Sequence, residues 1–269
     1  MFSLSGANSL LNIKANQQSM DKLYLQAQTG KRINSAADDA AGLAIANQLH
    51  TQSSGLGQAI KNSTQGISLL KIADSALEEY TDILQKAREK ASEAISDTNS
   101  TESRAALEAE VKALMESAEA IVTNTNYNGI KLLDGSFTAK TLQTGANSGE
   151  TTAVTIDDSS TATLGVDDAS IDLTSSAGAA TALTDIDKAI KTLDGIRSGI
   201  GSTQNGLESR IRNMENTQIN IMSAESNIRD ANIEEVTKQL SDFQVKYQAS
   251  LFSLGKSNEL QQSVLSLLR

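Results

Sequence analysis

The chain has 269 residues, with 3% aromatics and no Pro, Cys or Trp. Lacking cysteine, it has no disulfide, thiol nucleophile or thiolate metal ligand. Its net charge of −10 and pI near 4.7 argue against general nucleic-acid binding, which needs a basic surface.

An average chain of this length would hold roughly 13 prolines. Their absence predicts long uninterrupted helices, because interior proline costs about 3 kcal/mol or more. No apolar run approaches the ~20 residues that cross a bilayer, so no membrane segment is expected. The start, "MFSLSGANSLLNIKAN", lacks the charged head and apolar core of a secretory signal. The chain either stays inside or leaves by another route.

After a first helical segment comes "TGKRINSAADDAAGLAIA", Thr29 to Ala46. Gly30-Lys31 suggests a phosphate loop, but Leu25 stands where its first glycine belongs and Arg32 replaces the hydroxyl residue. A joint between helices fits better. Ser35 is placed to cap the next helix, with Asp38 and Asp39 in its first turn, where the helix dipole favours negative charge. Lys31 and Arg32 precede it, and the preceding "LYLQAQTG" offers them no acidic partner. Their expected partner is acidic surface on a neighbouring copy, such as that near Asp230, Glu234 or Glu235.

From there Leu49, Leu56, Ser63, Leu70, Leu77 and Leu84 recur at sevens, with Ile60 and Ile67 as a second row. This stripe predicts one helix over about 43–97, packed against partners. "SDTNSTES" breaks it at 96–103. A further helix then presents Leu107, Val111, Leu114, Ala118 and Ile121 on one face. "NTNYNG" at 124–129 reads as a loop, and Asp134-Gly135 as a tight turn.

Residues 137–176 turn rich in Thr, Ser, Gly and Asp, with short alternating pieces such as "TTAVTI" and "SIDL". These predict small β-hairpins, whose Leu142, Val154, Ile156, Leu164 and Ile171 can cover one helix face; a disordered linker is the alternative. A second long helix follows at about 179–227, its stripe running from Leu183 and Ile186 to Ile221 and Ile228. The phase slips near "RDAN" and resumes as Ile233, Val236, Leu240, Phe243, Tyr247, Leu254, Leu265 and Leu268.

The predicted fold is mainly α: long antiparallel coiled-coil-like helices forming a rod, with a small β-hairpin region in the middle of the chain. Apolar stripes on the terminal helices have little else of their own chain to cover them. An uncovered stripe marks an interaction surface, and another copy of the chain is the natural partner.

Three segments together resemble bacterial flagellin: "TGKRINSAADDAAGLAIA", "TNTNYNGIKLLDG" and the terminal "LSLLR". The resemblance covers roughly 1–140 and 180–269. It implies a structural subunit that self-assembles into the helical flagellar filament outside the cell, serves motility and is exported without a cleaved signal peptide. It divides the chain into an inner-tube helix and joint (1–42), outer-shell helices with the hairpin region (43–178), a returning outer-shell helix (179–228) and a C-terminal inner-tube helix (229–269). Lys31, Arg32, Asp38, Asp39 and the apolar row from Ile233 to Leu268 then become subunit-interface residues. Further implied partners are the filament cap, junction proteins and an export chaperone.

The resemblance also implies a Toll-like-receptor segment at "QKAREKAS", where Gln85, Arg88 and Glu89 keep the family pattern. Lys90 stands where leucine is usual. An unpaired charge is costly to bury, so receptor activation is not expected and the segment reads as an ordinary helix face. Ser and Thr in 143–182 are open to O-glycosylation, as in some flagellins.

The hook–filament junction protein is the nearest alternative. Its joint often carries proline after the Asp pair, where this chain has Ala40-Ala41. A helical scaffold or secreted coiled-coil effector is compatible with composition alone. An enzyme fits poorly. His50 is the only histidine, so a two-histidine zinc motif is impossible, and adjacent acids such as Asp38-Asp39 do not face each other on a helix. No cofactor or metal is expected.

Overall fold

The computed structural model describes residues 2–267, with side-chain placement for all of these except 2–7, 261, 264, 265 and 267. The elements in order are α1 (Phe2–Thr29), α2 (Ala40–Ala94), α3 (Thr101–Asn124), β1 (Asn126–Tyr127), β2 (Ile130–Lys131), β3 (Lys140–Gln143), β4 (Thr151–Val154), α4 (Thr161–Leu164), α5 (Ser176–Arg229) and α6 (Ile233–Leu267). The chain is mainly helical, with two small antiparallel sheets. Two compact units form: one from Ser54–Gln218, the other from residues 1–53 and 219–269.

The Ser54–Gln218 unit holds an extensive apolar core. Its α5 row is Ile186, Leu193, Ile200 and Leu207, one residue in seven, all buried. Leu56, Leu70, Leu77 and Leu84 of α2 are buried at the same interval, as a seam of 3-4 spacing requires. Ala73, Ala87, Ala91 and Ala94 are also buried, and side chains this small permit close helix approach. On α3 the buried row is Leu107, Val111, Met115, Ala118 and Val122. Leu114 and Ile121, expected there, are half-buried. Each has an apolar neighbour one position on, so spacing alone left two possible phases for this face.

Between α2 and α3, Ser100 caps the new helix, accepting from the Ser103 N–H at 3.1 Å. Arg104 donates from Nε to the Ala94 carbonyl at 3.0 Å and from Nη2 to Ser96 at 3.1 Å. This satisfies carbonyls that the end of α2 leaves open. α2 spans Ala40–Ala94, where 43–97 was expected.

Residues 124–129, expected to be a loop, belong to a hairpin. Tyr127 pairs with Ile130, and the intervening Asn128 and Gly129 have φ of 52° and 80°. Two consecutive left-handed residues are what the tightest hairpin turn needs. Residues 137–176 form one hairpin, not several. β3 and β4 pair from Lys140↔Val154 to Gln143↔Thr151, while "SIDL" is irregular. Its Ile171 and Leu173 are nonetheless buried, and Glu108 of α3 accepts the Leu173 N–H at 3.1 Å. Val154, Ile156, Leu142 and Leu164 pack into the same core. The β3–β4 hairpin approaches α2 at two glycines: a Cβ at Gly66 would clash with Leu142, and one at Gly55 would lie 3.2 Å from the Ala146 backbone.

The unit of residues 1–53 and 219–269 is built differently. α1 and α6 run alongside one another. The buried apolar residues among those described are Leu23, Ile33, Ala46, Ile221 and Val236.

Candidate subunit interface

The joint expected at 29–46 exists, and it closes within its own chain. α1 ends at Gly30, whose φ of 68° and N–H bond to Gln26 O (2.9 Å) give the left-handed stop that glycine adopts without strain. The chain then pairs with the α5–α6 junction through an antiparallel bridge between Lys31 and Asp230. The Arg32 N–H donates to Arg229 O at 2.7 Å, and the Ala231 N–H donates to Gly30 O at 2.9 Å. Arg32 Nη2 donates to Ile228 O at 2.6 Å, setting a cation at the negative end of α5. Arg32 thus has a partner within its own chain, a carbonyl at the end of α5. Asp230 likewise meets Lys31 through backbone.

The capping expectation also needs correction. Ser35 does not cap α2. Asp39 does, with Oδ1 accepting the Gly42 N–H at 2.8 Å; a Cβ at Gly42 would lie 2.9 Å from both the Asp39 carboxyl carbon and Ile33. Asp38 sits in the turn before the helix. Its Oδ2 accepts from the N–H groups of Asn34 (3.2 Å) and Ser35 (3.0 Å), and its Oδ1 lies 2.8 Å from Lys22 Nζ. Lys22 and these N–H groups hold the Asp38 carboxyl well below the usual carboxylate range. Two adjacent aspartates thus serve two turns, since a tight turn of its own precedes α2. Ile33 is buried beneath the joint; a lone apolar residue between polar ones is a weak signal in sequence.

α6 begins at a cap from Asn232 Oδ1, which accepts the Glu234 N–H at 3.1 Å, with Glu234 and Glu235 in the first turn. Of the expected row, Val236 is buried and Leu240, Phe243, Tyr247 and Leu254 are half-buried, while Ile233 is exposed. The Leu265 side chain and Leu268 lie outside the described residues. Gln244 Nε2 donates to Tyr24 Oη at 3.0 Å, tying α6 to α1. A second set of exposed apolar residues lies outside the expected row: Leu10, Leu11 and Leu25 on α1, with Val245, Leu251, Phe252 and Leu260 on α6. Phe252 is 70% exposed and Val245 66%. The seven-residue interval from Val245 to Phe252 was the available signal. It was hidden because the stronger Ile233–Leu254 row fitted one helical face.

His50 Nδ1 lies 3.3 Å from Glu225 Oε1. In the other unit, Gln85, Arg88 and Glu89 are exposed and Lys90 is half-buried. Arg88 Nε donates to Asp187 at 2.6 Å, and Lys90 Nζ lies 2.9 Å from Glu110. The Lys90 charge is therefore paired on its own chain. Among the described residues, no group of three or more His, Cys, Asp or Glu side chains is placed to hold a metal. No helix there is long and apolar enough to cross a membrane.

Residues 4–138 match the bacterial flagellin N-terminal helical region, and residues 183–268 match the bacterial flagellin C-terminal helical region. The chain belongs to the bacterial flagellin family. It is 38% identical over 262 residues to a flagellin of Halalkalibacterium halodurans, covering 97% of this chain and 95% of the relative. It is 33% identical over 270 residues to the flagellar filament 33 kDa core protein of Treponema phagedenis, covering 94% of this chain and 92% of that one. The crystal structure of Bacillus cereus flagellin superimposes with a TM-score of 0.51 at 28% identity, over 57% of this chain and 88% of the other. Flagellins are structural proteins.

Proposed function

We propose that this chain is a structural subunit that self-assembles, copy against copy, into the flagellar filament. The observation that supports this most directly is the exposed apolar set on α1 and α6 in a member of the flagellin family. Solvent-facing Leu, Val and Phe along two paired helices expose apolar area that water disfavours and a neighbouring copy would cover. In this reading residues 1–42 and 229–269 line the inner tube, and 43–178 with 179–228 form the shell around it. Lys31, Arg32, Asp38 and Asp39 shape the joint from which the inner-tube helices extend and face a neighbouring copy there. Ile233 to Leu268 and the second exposed set make the copy–copy contacts. The filament lies outside the cell, where a cap and junction proteins complete it and an export chaperone precedes it. Gln85 to Ser92 act as a helix face, with Lys90 held by Glu110; Lys90→Leu is expected to raise any Toll-like-receptor response over the parent.

The decisive experiment compares the full chain with one ending at Asn232 under polymerising conditions. The full chain is expected to form filaments visible by electron microscopy. The shortened chain is expected to remain a soluble helical monomer. Filaments from the shortened chain would refute the inner-tube role of α6.

A further inference from the structure

The chain has five methionines and no cysteine, so methionine is its only sulfur open to oxidation. Met115 and Met214 are buried at 2% and 6% exposure, Met20 is half-buried, and Met1 lies outside the described residues. Met222 is 54% exposed on α5. Ile219, one turn before it, is 63% exposed, and residues three apart are neighbours on a helix surface. No charged residue occurs between Glu215 and Glu225. Ile221 of the same turn is buried, so this part of α5 presents apolar side chains both inward and outward.

We propose that Met222 is an oxidant-sensitive modification site, whose thioether reacts with hydroperoxides ahead of the other described methionines. The Met222 Sδ lone pair attacks one oxygen of hydrogen peroxide. An S–O bond forms, the O–O bond breaks, and the departing hydroxide takes the remaining proton to leave as water. Sulfur is oxidised by two electrons and the peroxide is reduced by two. The product is a sulfoxide, polar and chiral where the thioether was apolar. Exposure governs the rate of this step, and Met115 and Met214 are shielded by the packing around them. The Met222 side chain, apolar before oxidation, gains a strong dipole that resists burial against another copy. That consequence for assembly rests on the filament reading above.

The test treats the full-length chain with dilute hydrogen peroxide and follows each methionine-containing peptide by mass spectrometry. Sulfoxide is expected at Met222 several-fold faster than at Met115, Met214 or Met20. Equal rates at the buried positions would overturn the site. Assembly is then compared for peroxide-treated parent and peroxide-treated Met222→Leu, a replacement of similar volume. The treated parent is expected to need a several-fold higher concentration to form filaments, and the treated variant is expected to assemble as before treatment. Equal loss in both would overturn the link to assembly. If untreated parent forms no filaments, the filament reading fails by itself, while the order of oxidation still decides the site.

Discussion

The two units solve the same problem in opposite ways. The Ser54–Gln218 unit covers its helix stripes with other parts of itself: α3, α5, the β3–β4 hairpin and the loop through Leu173 all close over α2. The unit of residues 1–53 and 219–269 pairs α1 with α6, yet leaves Leu10, Leu11, Val245, Phe252 and Leu260 in water. Composition does not separate them, since both are helices with leucine-rich stripes. The difference is the number of elements available to cover each helix. A helix left open on one side within its own unit keeps apolar side chains exposed, and an open apolar side favours association.

Substitutions in the two units should therefore separate stability from assembly. Leu193 is fully buried, so Leu193→Ala should cost the monomer about 2–5 kcal/mol through lost contacts and a residual cavity, read as a lower urea midpoint. Phe252→Ala should leave the monomer within about 0.5 kcal/mol of the parent, yet strongly impair filament formation. A Phe252→Ala monomer as destabilised as Leu193→Ala would erase the distinction.

A smaller and opposite effect is expected at Gly199. It lies inside α5 with nothing within 4 Å of where a Cβ would be. Gly199→Ala should stabilise the Ser54–Gln218 unit by about 0.5–1 kcal/mol by restricting the unfolded chain, seen as a raised melting temperature. No such gain is expected at Gly66, where Leu142 occupies the space.

In the terminal unit, Asp38 provides a pH handle. Its carboxyl is held well below the usual range by Lys22 and the N–H groups of Ser35 and Asn34. A depressed folded pKa contributes stability that is present above the unfolded value, about 3.9, and is lost as pH falls towards the folded one. Melting of Asp38→Asn should thus lie below the parent at pH 7 and converge with it in strong acid. A difference independent of pH would show that shape, not charge, matters at this turn.

A small effect is also expected at Tyr80. Its hydroxyl is buried without a hydrogen-bond partner among the described residues. Burial, with Glu119 and Asp158 nearby, pushes its ionisation well above the ordinary phenol value. Tyr80→Phe removes a desolvated, unpaired group, so stability should stay within about 1 kcal/mol of the parent or rise. A large loss would reveal a partner for the hydroxyl.

The long helices were legible in the sequence because their determinants are local. Sevenfold spacing of Leu and Ile, the absence of proline, and the break at "SDTNSTES" each act within a few turns of chain, and α2, α3 and α5 follow them to within a few residues. The three motifs carried the family for a related reason, being contiguous. What spacing could not reveal depends on residues far apart in the chain. Arg32 finds Ile228 O, Lys31 finds the backbone of Asp230, and Leu173 N–H finds Glu108. Periodicity names the apolar face of a helix but not what covers it, so the Val245–Phe252 row passed unnoticed beside a stronger one. Asp39 and not Ser35 became the cap because an extra turn, held by Asp38 and Lys22, sits before α2. Capping is decided by where the first helical N–H groups point, and only the tertiary arrangement of the joint settles that direction.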